Sequence, residues 1–215
     1  MNRPIRSFVL RQGRITPAQA RALETLLPQY GIAFSESPLR SARKAPLVLE
    51  IGSGMGETTM AIAKAHPEID FVAVEVHGPG VGSLLNRIAA EKLENLRVVR
   101  HDAVEVLERM IEDGSLAAIH LFFPDPWPKK RHHKRRLVQP EFTALAARKL
   151  RPGGILHVAT DWPDYAEHIE AVLSQESELE KAAAGLVARP ETKFETRGRR
   201  LGHPIRDLFY RRKAG

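Results

Sequence analysis

Five short apolar runs, Leu47 to Ile51, Phe71 to Val76, Leu96 to Val99, Ala117 to Phe123 and Ile155 to Ala159, recur between residues 46 and 160. Each is too short for a helix and rich in Val, Ile, Leu or Phe, the pattern of a strand buried on both faces. Between them lie stretches of helical character, Thr58 to Ala65, Val81 to Leu93, Ala103 to Ile111 and Val138 to Leu150. Strand alternating with helix confines the chain to an α/β architecture, a mostly parallel sheet with right-handed crossovers and helices on both faces. The Arg151-Pro152-Gly153-Gly154 segment stops one helix and turns the chain into the fifth strand, and a further helix is predicted over Pro163 to Leu173. After Arg189, Thr192 to Glu195 and Ile205 to Arg211 are predicted as a C-terminal β-hairpin that brings the sheet to seven strands. Upstream, Arg3, Arg6, Arg11 and Arg14 form a basic arm, followed by a predicted helix from Pro17 to Leu27. The expected organisation is therefore arm and helix over residues 1–45 and one α/β domain over 46–215.

Composition narrows what such a domain meets. The 215 residues are 43% hydrophobic, enough for one substantial core but cramped for two. Thirty-three Lys and Arg against 26 Asp and Glu give a net charge of +7, which favours nucleic acid or an acidic membrane surface as partner. No window is long and apolar enough for a spanning helix, and the arginine-rich start does not read as a secretory signal, so no membrane role and a cytoplasmic location are expected. With no cysteine there is no disulfide, thiolate zinc site or cysteine nucleophile, and the nine histidines lack metal-ligand spacing. No metal is expected.

Leu47-Val48-Leu49-Glu50-Ile51-Gly52-Ser53-Gly54-Met55-Gly56 reads as a strand, a glycine turn and the start of a helix. Such a turn lets the backbone approach a ligand closely. A dinucleotide fingerprint wants Gly or Ala at residue 57, where this chain has Glu57, so hydride transfer is disfavoured. Glu50 and Glu75 are lone charges in apolar runs near strand ends. Burying either without a partner costs several kcal/mol, which a bound cation or hydroxyl-bearing ligand would offset, unless an arginine does so. Asp102, in Asp102-Ala103-Val104-Glu105, fits both a ligand contact and a helix capping box. The G-x-G-x-G turn with its two spaced carboxylates resembles the opening motifs of class I S-adenosylmethionine-dependent methyltransferases. That resemblance implies a Rossmann-like fold, with Glu50, Gly52, Gly54, Gly56, Glu75, Asp102 and Asp125 around the cofactor, and Glu75 on the ribose hydroxyls.

The segment Phe122-Phe123-Pro124-Asp125-Pro126-Trp127-Pro128 runs directly into Lys129-Lys130-Arg131-His132-His133-Lys134-Arg135-Arg136, six of whose eight residues are Lys or Arg. Prolines at 124, 126 and 128 fix their own φ and push Phe123, Asp125 and Trp127 out of the helical region, so an extended, rigid loop is predicted. A carboxylate loop joined to an acid-free basic run suggests chemistry on a polyanion. Trp127 suits either base stacking or core packing.

These segments, with Arg6-Ser7-Phe8-Val9-Leu10-Arg11-Gln12-Gly13-Arg14, Ala159-Thr160-Asp161-Trp162 and Thr192-Lys193-Phe194-Glu195-Thr196-Arg197-Gly198, resemble the bacterial tRNA (guanine-N7-)-methyltransferase family over nearly the whole chain. The resemblance implies methyl transfer from S-adenosyl-L-methionine to N7 of a guanine in the variable loop of tRNA, with S-adenosyl-L-homocysteine as product. It also implies Asp125 as the catalytic carboxylate. Lys129, Asp161, Thr192, Lys193, Phe194 and Glu195 are the expected guanine-side contacts, and Arg131, His132, His133, Lys134, Arg135 and Arg136 the expected RNA contacts. Blander readings stay open as well: a turn-forming residue between prolines for Asp125, a helix cap for Asp161, an edge strand for Thr192 to Glu195 and a solvated face for the basic run. Monomer and homodimer are both compatible with the sequence.

Overall fold

The computed structural model describes residues 6–8, 13–39, 43–190, 195 and 205–214. Seven strands, β1 Leu47–Ile51, β2 Asp70–Val74, β3 Leu96–Val99, β4 Leu116–Phe122, β5 Leu150–Thr160, β6 Leu179–Lys181 and β7 Arg206–Arg212, form one sheet in the order β3-β2-β1-β4-β5-β7-β6. The first five are parallel. β7 runs antiparallel to both β5 and β6. All seven residues of β4 are buried, as the continuous apolar run requires of a central strand covered on both faces.

The helices are α1 Pro17–Thr25, α2 Leu27–Tyr30, α3 Glu57–Ala65, α4 Gly78–Glu91, α5 Ala103–Met110, α6 Pro140–Lys149 and α7 Pro163–Gln175. One face of the sheet packs against α5, α6 and α7 through Leu107, Met110, Phe142, Tyr165, Ile169 and Leu173. The other packs against α1, α3 and α4 through Ala22, Met60, Ile62, Val81, Leu84 and Ile88. A Thr16–Gln19 capping box opens α1. This helix lies so close on α4 that a Cβ at Gly82 would stand 2.6 Å from the Gln19 carbonyl oxygen.

Three sequence expectations need correction. β7 pairs antiparallel with β5 and β6; of the expected strand Thr192 to Glu195, Glu195 is not in a strand, and Thr192, Lys193 and Phe194 lie outside the described residues. The helix expected to reach Leu27 ends at Thr25, because Pro28 has no N–H to continue it and instead sits in the first turn of α2. Finally, the proline loop is not simply extended. Phe123 and Trp127 have φ of 51° and 46°, left-handed values rare for residues with a side chain.

Candidate active site

The strand order reverses between β1 and β4, and in an open α/β sheet the crevice at the carboxyl ends of such a pair is where ligands bind. The glycine turn leaves β1 there and the Asp125 loop leaves β4. Gly52, Gly54 and Gly56 have φ of 74°, 55° and 79°, so all three sites demand a residue without Cβ strain. Gly80 in α4 is required for a different reason. A Cβ there would lie 2.5 Å from the Gly54 carbonyl oxygen, so only glycine lets α4 support the turn.

Glu75, 6% exposed at the end of β2, ties this turn down. Its Oε2 accepts from the Gly54 N–H at 2.8 Å and its Oε1 from the His77 N–H at 2.8 Å. No cation pairs with it among the described residues, so two backbone donors are all that offsets the buried charge. Each oxygen keeps a lone-pair direction for a further donor. Glu75 lines a cavity with Gly52, His77, Asp102, Phe122 and Asp125, and Ser7 and Phe8 of the arm close one side. Asp102 caps α5, its Oδ1 accepting from the Val104 N–H at 2.9 Å. The capping box is not completed, because Glu105 turns to His101 Nε2 at 2.5 Å. An acidic, partly apolar cavity beside a tight glycine turn fits a cationic donor bearing hydroxyls. Glu75, Asp102 and Asp125 are the residues that would hold it.

Glu50 is placed differently from its sequence reading. It is buried beneath the turn, where Oε1 accepts from Thr59 Oγ1 at 2.9 Å, and it borders neither this cavity nor its neighbour. The alternative of an arginine salt bridge is not realised among the described residues. Burial pushes its pKa up to about 7; the Thr59 bond opposes this and the Glu75 charge adds to it.

A second cavity lies across the same wall. Gly52, Phe122 and Phe123 line both, and the second adds Ser53, Met55, Asp161, Glu195 and Ile205. Asp161 and Glu195, far apart in sequence, therefore line one space. Glu195 is 3% exposed, and its Oε1 meets Arg189 Nη2 at 2.5 Å.

Comparison with known proteins decides the lineage. Residues 44–208 match the family model described as Putative methyltransferase. The chain is 58% identical to the tRNA (guanine-N(7)-)-methyltransferase of Nitrosomonas eutropha, with 98% of each chain covered. It is 56% identical to that of Nitrosospira multiformis, over all of this chain and 97% of the relative. The chain belongs to the tRNA (guanine-N(7)-)-methyltransferase family. Among solved structures, the 16S rRNA methyltransferase KamB superposes with a TM-score of 0.55 at 19% identity, covering 95% of this chain and 97% of that one. That likeness carries the fold alone, and the fold is that of the class I methyltransferases.

Within this family member the basic run divides into two parts. Lys129, Lys130, Arg131 and Lys134 are exposed. Residues 130–135 form a 3₁₀ turn, and desolvation, followed by the charges of Arg131, Arg135, Lys129 and Lys134, lowers the His132 pKa. Arg135 lies over the Trp127 ring at 5.1 Å, and Trp127 donates from Nε1 to the Ser7 carbonyl at 3.0 Å. Trp127 is thus a partly buried strut between loop and arm. Arg136 is removed from the RNA-facing set, because its side chain is only 1% exposed. It donates to the Pro126 carbonyl at 2.9 Å, pairs with Asp164 on α7 and lies 4.8 Å over Tyr165. His133 also turns inward, toward Arg136 and Asp164.

Sequence reasoning missed Ser7 and Phe8 as cavity lining, Gly80 as a packing requirement and Arg189 as the partner of Glu195. Ser7 and Phe8 belong to the Arg6 to Arg14 segment but carry no chemical signal of their own. Nothing in the sequence around Arg189 marked it.

Proposed function

We propose that the protein transfers the methyl group of S-adenosyl-L-methionine to N7 of a guanine in the variable loop of tRNA, acting in the cytoplasm. The observation that carries this reading is the pair of cavities sharing Gly52, Phe122 and Phe123, one lined by Glu75, Asp102 and Asp125 and the other by Asp161 and Glu195. Two ligands that react with each other must sit in adjoining spaces, and these two adjoin at Gly52, Phe122 and Phe123. The activity of the relatives, tRNA (guanine-N(7)-)-methyl transfer, names a methyl group and a tRNA guanine as the reacting partners there.

S-adenosyl-L-methionine supplies, when bound, an electrophilic methyl on a sulfonium. Glu75 accepts the ribose hydroxyls, since a carboxylate takes two hydrogen bonds side by side. Asp102 faces the adenine side. Gly52 and Gly54 keep the turn low enough for close approach. Guanine N7 has a free lone pair, so no base removes a proton before attack and alignment carries most of the rate. Transfer of that methyl would leave the C–S electron pair on sulfur and the positive charge on the purine. Asp125 is the carboxylate assigned to stabilise that charge. Asp161 and Glu195 accept from the guanine Watson–Crick edge, where its donors lie. Lys129, Thr192, Lys193 and Phe194 are assigned to the nucleotide around it, and the exposed Lys130, Arg131 and Lys134 to phosphates.

The test is product mapping. Purified protein, methyl-labelled S-adenosyl-L-methionine and unmodified tRNA are incubated, and the RNA is then reduced and cleaved at N7-methylguanine. A single cut in the variable loop is expected. Label on adenine, cytosine or an exocyclic amine would contradict the reading.

A further inference from the structure

Glu195 carries a buried charge at the rim of the second cavity, and Arg189 is a partner that holds it there. The Arg189 side chain is 6% exposed. Its Nη2 lies 2.5 Å from Glu195 Oε1 and 3.2 Å from Asp207 Oδ2. Its Nε donates to Asp207 Oδ1 at 3.3 Å. The same guanidinium stacks 5.6 Å from the Phe122 ring centre and 5.2 Å from that of Phe123. It therefore touches the wall between the cavities and the carboxylate on one side of it. Asp207 is itself fixed on β7, accepting from His157 Nε2 at 2.7 Å. Burial works against its charge, but the bonds from His157 and Arg189 hold its pKa down to about 2, so the anchor stays anionic. A planar fork held by one carboxylate leaves its outer edge in a set orientation, which lysine cannot reproduce.

We propose that Arg189 is a positioning residue for base recognition: anchored on Asp207, it fixes Glu195 for the guanine edge and braces Phe123 at the reacting wall. This rests on the reading that Glu195 faces the guanine. Arg189 touches neither donor nor base. Its effect appears after tRNA has docked through its phosphates, so it acts on turnover and base choice rather than on RNA or cofactor affinity.

The experiment compares wild type, Glu195→Gln, Arg189→Met and Arg189→Lys on two tRNAs that differ only in guanine or inosine at the acceptor position. Inosine keeps N7 but lacks the exocyclic amine. Wild type is expected to prefer guanine by about 10-fold or more in kcat/KM, as a site built for that donor would. Arg189→Met is expected to lose about 30- to 100-fold in kcat through misplacement of the base, with KM for tRNA within about 3-fold. Its guanine preference should fall below about 3-fold, and Arg189→Lys should lie between it and wild type. S-adenosyl-L-homocysteine affinity within about 2-fold of wild type reports an intact fold, and should Arg189→Met fail that check, Arg189→Lys carries the comparison. If wild type shows no preference, or Glu195→Gln keeps it, the assignment of Glu195 is wrong and the proposal falls with it. If Glu195→Gln loses the preference while the Arg189 variants keep it, whatever their kcat, Arg189 is structural only and the proposal alone is overturned.

Discussion

Glu50 and Glu75 stand near the ends of adjacent strands, both buried, with different hydrogen-bond partners. Glu75 meets two backbone N–H groups, whereas Glu50 has only the Thr59 hydroxyl and is pushed up to about 7. A carboxyl whose pKa rises on folding binds its proton more tightly in the folded state. Its contribution is therefore most favourable below about 4.5 and declines as pH climbs to about 7, by about 3 kcal/mol at ~1.4 kcal/mol per unit. His120 acts in the opposite direction over an overlapping range, since burial and the His157 charge push it down to about 3. The wild-type profile mixes both groups. The difference between wild type and Glu50→Gln isolates Glu50, and denaturant unfolding of the ligand-free protein at pH 5 and pH 8 should show the variant gaining on wild type at the higher pH. Equal gaps at both values would contradict the buried placement. For Asp125, replacement by Asn should lower single-turnover methyl transfer by about 100-fold, the usual scale for removing one electrostatic stabiliser. An unchanged rate would show that the purine charge is stabilised elsewhere.

At the scale of elements, the parallel strands and their intervening helices were legible because apolar runs and helical periods alternate without ambiguity. The loop after β4 was legible in position but not in conformation. Proline disfavours the right-handed region for the residue before it, but tertiary bonds chose the left-handed region over the extended one. The Phe123 N–H donates to the Ala159 carbonyl at 2.8 Å, Arg189 stacks on its ring, Trp127 is tied to Ser7 and Pro126 to Arg136. Such positive-φ residues cost about 1–3 kcal/mol each and persist only under constraints of this kind. Releasing one constraint should therefore loosen the loop. Arg136→Ala is expected to lose about 2 kcal/mol of stability, through lost loop and ring contacts, and to lower turnover. It should leave the salt dependence of tRNA binding as it was, and an altered slope would return Arg136 to the RNA surface. In the glycine turn, Gly80→Ala forces a 2.5 Å contact on the Gly54 carbonyl. Calorimetry should find S-adenosyl-L-homocysteine bound at least about 10-fold more weakly, since overpacking of this kind costs about 1–3 kcal/mol. Wild-type affinity would mean that α4 can retreat freely.

The whole molecule combines a cofactor sheet with a cationic edge. Net charge and the acid-free run pointed to a polyanion from composition alone, but not which cations face it. Burial of Arg136 and the inward turn of His133 follow from Asp164 on α7, a residue far along the chain that no local pattern connects to them. Neutralising Lys130, Arg131 and Lys134 together should weaken tRNA binding and reduce the slope of log K against log salt by about 2 to 3, close to one per phosphate contact, with cofactor affinity unchanged. The division of labour between the two cavities is tested most directly by titrating S-adenosyl-L-homocysteine into Glu75→Ala and Asp161→Asn. Glu75→Ala should lose about 100-fold in affinity, the scale of two charge-assisted hydrogen bonds, and Asp161→Asn, though poor in methyl transfer, should bind within about 2-fold of wild type. Donor affinity lost in Asp161→Asn, or kept in Glu75→Ala, would mean that the two ligands do not occupy the two separate cavities that adjoin at Phe122 and Phe123.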